Sequence, residues 1–323
     1  MTFKKFLLNT AMISVAVLLA FSSCKKKEAE TPVEDESGQA STDSRQAISE
    51  NDASIDDVNK TVSDYPNMHG RTSQSAQTTT IGGLTIDTTG SYMGTIKLNY
   101  DGITVVNNRK RSGSIRLTIL NYATGARWKQ IGCVMKVEYL AYRVTRASDA
   151  AFIELNGMQN LTNVSGGTWW ELYTFTQANL ASSVTGTNLS VNFNGAGTAS
   201  YNIHRKFTYT LTPVTYVLTC SGEGIGSSGG INSLENYGTT RDGDAFTSQV
   251  ASPIIWNTTC GGGAPLAGHL IIKVASKSFD LDCVFGVNVA GTPITVGSNQ
   301  CAYGWNLTWT VGSNSQNKVI AYW

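Results

Sequence analysis

Six cysteines, three histidines and a few acidic pairs are the residues of this 323-residue chain whose chemistry comes first. Gly226-Ser227-Ser228-Gly229-Gly230 has the G-x-S-x-G form of a nucleophile elbow. An elbow needs a strand before the serine, a helix after it, and a partner His and acid. Here a Gly/Ser-rich stretch, Ser221 to Gly230, surrounds it and no helical stripe follows. Gly224-x-Gly226-x-x-Gly229 matches a dinucleotide fingerprint as a string, but no βαβ unit carries it. Asp242-Gly243 reads as a hairpin turn, with a loop Ca²⁺ site at Asp242 and Asp244 as the other reading. Asp280 and Asp282 fall on the polar face of a strand, where Lys273 can pair with them across a hairpin. A glycosidase needs two carboxyls about 5–9 Å apart across a cleft, and no cleft is legible in these residues. His204 and His269 fall on polar strand faces without a triad partner, and no His spacing suits a metal. The chain is therefore read as non-enzymatic, with no catalytic residue, no metal and no cofactor.

Two surfaces are candidates for binding instead. Nine basic residues lie between Arg109 and Arg146, and only Glu138 opposes them there. A basic sheet face led by Arg109, Lys110 and Arg111 suits an acidic glycan or a lipopolysaccharide phosphate. Solvated strand edges blunted against pairing explain the same charges. Trp169, Trp170 and Tyr173 form the second candidate, because sugars stack on exposed aromatic rings. Adjacent residues of a strand point to opposite faces, so one of Trp169 and Trp170 is expected outside.

The elements that must position these residues are strands. From about residue 80 the hydrophobic period is two. Ile115, Leu117 and Ile119 share a face, as do Ile131, Cys133, Met135, Val137 and Tyr139. Tyr201, Ile203, Phe207 and Tyr209 form another, interrupted by Arg205. Val214, Tyr216, Leu218 and Cys220 follow, then Leu281 to Val289 and Cys301 to Val311 at alternate positions. Asp101-Gly102, Thr124-Gly125, Asn156-Gly157, Asn194-Gly195 and Ala290-Gly291 separate them as turns. The expected fold is all-β, an antiparallel β-sandwich or a long twisted β-meander spanning 80–323, with 80–212 and 213–323 as possible halves.

The N-terminus is of another kind. Lys4 and Lys5 precede an apolar run, Phe6 to Phe21, which is short for a membrane span and suits a signal peptide over 1–23. Ser22-Ser23-Cys24 at its end resembles the bacterial lipobox, although Phe21 stands where Leu is usual. That resemblance implies cleavage before Cys24 and acylation of its thiol and amino group, an anchor of at least two chains. Residues 24–79 are expected to be a disordered acidic tether, rich in Ser, Thr, Glu and Asp. Ile48, Ile55 and Val58 permit a short helix within 45–62. Residues 25–70 carry 5 basic and 11 acidic side chains, a charge of −6, while the body from Arg71 carries +5. Nothing resembles the basic stripe of a nucleic-acid binder.

Export into an oxidising compartment leaves five cysteines besides Cys24. Cys260 precedes a strand over 269–275, and Cys301 opens one over 302–311. Two chain reversals bring both to the same end of the sheet, so Cys260–Cys301 is the expected disulfide. Cys133 and Cys283 sit on apolar faces and read as inert buried thiols.

The body also resembles a known family. Arg111-Ser112-Gly113 before Ile115-Arg116-Leu117, Ile153-Glu154-Leu155-Asn156-Gly157 and His204-Arg205-Lys206 form one set. Tyr216 to Cys220, Arg241-Asp242-Gly243, Cys260 and Cys301 form a second. In order and spacing over residues 90–311 they resemble uncharacterised surface lipoproteins of Bacteroidota, with Asn107-Asn108 where that family usually has a Cys before the Arg-rich turn. The resemblance implies a β fold and an envelope location, and no activity. The expectation is a membrane-anchored lipoprotein of the outer membrane, on its periplasmic or surface face. Its partners would be the bilayer, through acylated Cys24, and a glycan or envelope polymer. A secreted polysaccharide hydrolase and an assembly-accessory lipoprotein are the alternatives.

Overall fold

The computed structural model of the chain describes residues 32–65, 68, 78–81, 83–213, 217–260, 264–297, 300–311 and 313–322. The expected signal peptide and Cys24 lie outside these residues. Two compact units divide the chain at Gln39/Ala40. The described part of the first, residues 32–39, is the start of helix α1 (Pro32–Asp64). The second holds the rest of α1, a short helix α2 (Trp169–Tyr173) and sixteen strands. The strands are β1 (Thr78–Ile81), β2 (Leu84–Asp87), β3 (Thr95–Val106), β4 (Arg109–Ile119), β5 (Cys133–Arg146), β6 (Phe152–Asn163), β7 (Asn179–Phe193) and β8 (Thr198–Leu211). Then come β9 (Leu218–Gly224), β10 (Gly226–Ser228), β11 (Ile231–Thr239), β12 (Ala245–Asn257), β13 (Ala267–Val274), β14 (Asp280–Val287), β15 (Gly304–Val311) and β16 (Asn314–Ala321).

The fold is an antiparallel meander, as the alternation requires. Neighbours in sequence pair along almost the whole path, in one sheet without a break at residue 212. The exception lies between β8 and β12, where two short strands fill one position end to end. β9 pairs with Arg205–Leu211 of β8, and β11 pairs with Ser200–Ile203. Where β9 and β11 meet, Gly224 is required by contact rather than torsion: a Cβ there would lie 2.1 Å from the Ser233 carbonyl oxygen.

A crease crosses the sheet. Register shifts fall at Asp101/Val105 in β3, Ser112/Ser114 in β4, Tyr139/Tyr142 in β5, Asn156/Gln159 in β6 and Gly186/Leu189 in β7. Bulges bend the strand that carries them and increase its twist. In β5 the bulge also changes which residues face inward: Met135, Val137 and Tyr139 are buried, then Tyr142 and Val144. Gly113 sits opposite this bulge with φ +82°, and a Cβ there would lie 2.0 Å from the Ala141 carbonyl oxygen.

The sheet curls around α1. Over Glu50 to Asp57 the helix contacts β3 and β4 through Glu50 and Asp57, β5 and β6 through Asn51 and Ser54, and β8 through Asp52 and Asp56. At about 100° per residue these directions cover roughly 260° of its circumference. Arg45, about 8 Å before Glu50 along the axis, lies over the Phe285 ring of β14. In a flat sheet β3 and β14 would stand about 43 Å apart, so only a curled sheet can reach the helix from both.

This corrects the expected disordered tether over 24–79, since residues 32–64 are helical. Composition alone gives this segment too little apolar surface to order by itself. Ile48, Ile55, Val58 and Val62 nevertheless share one side of the helix and are buried in the second unit, three of them in its central hydrophobic cluster. The helix's acids pair with arginines of the strands and one of their turns: Asp43 with Arg241 in the β11–β12 turn, Glu50 with Arg109, Asp52 with Arg205 and Asp57 with Arg111. The excess of acid in one segment and base in the other is the complementarity of helix and sheet.

Candidate functional site

Ser49, Ala53 and Lys60 occupy the arc of α1 that the strands leave open, and there a cleft of about 830 Å³ runs beside the helix. Its floor carries Glu50, Asp52, Asp56 and Asp57. One wall is the β3–β4 hairpin with Val106, Arg109 and Arg111; the other brings Trp169, Trp170 and Tyr173 of α2 against Phe207 and Tyr209 of β8, with Trp256 and Cys220 behind. The volume lies within the range of small-molecule sites, which combine an apolar lining with a few polar groups.

Most charges on the floor are answered by the protein. Arg109 Nε donates to Glu50 Oε1 at 2.6 Å. Arg111 Nη1 and the Tyr100 hydroxyl both donate to Asp57 Oδ2 at 3.1 Å. Arg205 Nη1 donates to Asp52 Oδ1, and its Nε lies 3.4 Å from Glu235 Oε2. Glu235 in turn accepts from Ser248 Oγ at 3.1 Å and faces Arg45 at 3.8 Å. Asp56 differs: Tyr209 donates its hydroxyl to Oδ1 at 3.1 Å, and no basic side chain lies within ion-pair distance among the described residues. Burial pushes the Asp56 carboxyl up to about 6, against the pull of the Tyr209 hydrogen bond. Burial also raises Asp52, with Arg205 opposing, and lifts the Cys220 thiol well above its usual range, helped by Asp56 and Asp52.

The two sequence candidates thus converge on one cleft, with corrections. Arg109 and Arg111 line it, whereas Lys110, between them on the strand, faces the other way. The basic stretch from Arg109 to Arg146 is no open positive face. The helix neutralises Arg109 and Arg111, Glu138 faces Arg116 and Lys136, Glu154 holds Arg143, and Asp149 holds Arg146. Trp169 and Trp170 are helical rather than extended. Thr168-x-x-Glu171 is a capping box: the Thr168 backbone N–H donates to Glu171 Oε2 at 2.9 Å and starts the turn. Trp169 meets Tyr209 edge to face at 4.9 Å, and Trp170 is 60% exposed at the mouth. The floor acids were missed. Arg205, on an otherwise apolar face, was their one visible signal, since a buried arginine needs a buried acid.

The remaining motifs stay apart from the cleft. Ser227 and Ser228 belong to β10, a short strand turning through Gly229 and Gly230 into β11. His204 stacks on Tyr237 with ring centroids 5.5 Å apart, and His269 Nε2 lies 2.8 Å from Asp282 Oδ1. Lys273 pairs with Asp280 at 3.0 Å across the β13–β14 hairpin. Asp244 accepts from Ser276 Oγ at 2.6 Å, and no cluster of three metal-binding groups occurs among the described residues. Cys260 and Cys301 are joined by a disulfide, Cα to Cα 5.4 Å. Cys133 and Cys283 are buried free thiols, raised by burial to about 11 and about 12. No helix among the described residues is long and apolar enough to cross a membrane. Compared with known proteins, the chain matches no family model, no curated protein and no solved structure.

Proposed function

We propose that this chain is a lipid-anchored binding protein of the bacterial outer membrane, held through acylated Cys24, whose cleft takes a saccharide. The observation that supports the ligand class is the cleft itself: rings of Trp169, Trp170 and Tyr173 on one wall, and hydrogen-bonding carboxylates and guanidinium groups on floor and opposite wall. Aromatic faces stack on the C–H faces of sugar rings while the charged groups bond to hydroxyls. The lining charges balance, Glu50, Asp52, Asp56 and Asp57 against Arg45, Lys60, Arg109 and Arg111. This argues against the polyanion that the basic stretch suggested.

A glycan array read with the parent and with Trp169→Ala and Trp170→Ala tests the reading. Binding by the parent, weakened about tenfold or more in each variant, is the expected result. An array with no hits, or hits indifferent to both tryptophans, defeats it. Mass spectrometry of the mature N-terminus tests the anchor, and an unmodified Cys24 removes it. A second reading, polysaccharide hydrolysis, draws on Asp52 and Asp56, one helical turn apart and both raised by burial. Release of reducing ends from a bound glycan would favour it.

A further inference from the structure

Among the described residues, the floor of the cleft contains one acid that no arginine meets. Glu50, Asp52 and Asp57 each meet an arginine, and Arg45 faces Glu235. Asp56 has only the neutral Tyr209 hydroxyl at Oδ1. Lys60, one turn further along α1, is exposed and attracts it only weakly, from beyond ion-pair distance. A carboxylate on the floor of a cleft is partly shielded from water, and a fold that has supplied four arginines to this helix has left this acid without one. The surroundings are aromatic: Tyr209 bonds Asp56 directly, Trp169 packs on Tyr209 with ring centroids 4.9 Å apart, and Phe207 and Trp256 line the same wall. Ring faces carry negative potential and attract cations, most strongly where water is excluded. A carboxylate and several rings around one space form a receptor for an ammonium group.

We infer that the cleft selects a saccharide bearing a free amino group, seated with its ammonium between Asp56 and the rings of Trp169 and Tyr209. This rests on the saccharide reading and narrows it to an amino sugar. A free amine supplies the missing positive charge and three donors, one for Asp56 Oδ2 and others for neighbouring acceptors. An N-acetylated sugar offers a single neutral donor in the same place. At pH 7 most of the Asp56 carboxyl is ionised, since burial raises it only to about 6.

Titration calorimetry at pH 7 with two probes separates the outcomes: a β-1,4-linked N-acetylglucosamine tetrasaccharide and the same tetrasaccharide fully de-N-acetylated. The expected result is binding of the amine form at least tenfold tighter. Asp56→Asn should abolish that preference, bringing the amine form's affinity down to that of the acetylated form measured on the same variant. Asn keeps the acceptor for Tyr209, so the variant tests charge rather than packing, and circular dichroism verifies its fold. If both forms bind alike and Asp56→Asn affects them equally, the ammonium inference fails and the saccharide reading stands. If neither form nor any other glycan binds, both fail together.

Discussion

Asp56 has a consequence for stability as well as for binding. Its folded carboxyl titrates near 6 against an ordinary value of 3.8. The native state therefore binds a proton more tightly than the unfolded chain, and its contribution becomes more favourable as pH falls through the window from about 6 to about 4. Above that window the buried charge costs the fold roughly 1–3 kcal/mol. Asp56→Asn should raise the thermal midpoint at pH 7.5 and lose its advantage by about pH 4. Parent and variant are best compared as a difference, because Asp87 and Asp149, lowered by hydrogen bonds from Thr89 and Arg146, act in the opposite sense. The basic turn gives a second test at this scale. Glu50 is 1% exposed and Arg109 Nε bonds it, so Arg109→Ser strands a buried acid and should cost about 2–4 kcal/mol in urea unfolding. Lys110→Ser, on the opposite face, should stay within about 0.5 kcal/mol. Equal small effects at both positions would mean that the helix does not hold Arg109. The reactive-looking residues were easy to see in the sequence, but their pairing was not. A charge count along 109–146 registers only local neighbours, and Glu50 and Asp57 arrive from more than fifty residues away.

At the scale of elements, the strands were legible and the long helix was not. Alternation is a local property, and Ile115, Leu117 and Ile119 announce an inward face without reference to anything else. The helix lacks such autonomy. Its aliphatics are sparse, and its acids, spread around most of the circumference, look like the surface of a solvated chain until arginines surround them. Trp169 and Trp170 were misplaced for a related reason, because two large aromatics suggest a strand more strongly than Thr168 and Glu171 suggest a cap. If α1 is part of the core, Ile55→Ala should cost about 2–5 kcal/mol, as for any fully buried isoleucine. A tether would make the same change silent. Chemical denaturation of the two chains decides between them. The crease was half visible: a period-two reading of β5 runs correctly from Cys133 to Tyr139, and only the buried Tyr142 reveals that the phase has slipped.

The molecule as a whole joins two kinds of contact with different histories. Nearly every strand pairs with its neighbour in sequence, so the sheet can grow hairpin by hairpin from short loops. The helix has no such shortcut. Its bonds to the sheet and its turns connect residues from 43 to 198 positions apart, Asp57 with Tyr100 at one extreme and Asp43 with Arg241 at the other. Closing such distances is slow, because chain entropy is lost before the contacts repay it. Pulse-labelled hydrogen exchange during refolding should find the amides of β4 to β8 protected first and those of residues 45–62 last. Simultaneous protection would refute that order. The curl of the sheet then belongs to the end of folding rather than its beginning: hairpins assemble as a loose ribbon, and a helix that precedes every strand in the chain becomes the mandrel on which the last strands are wound.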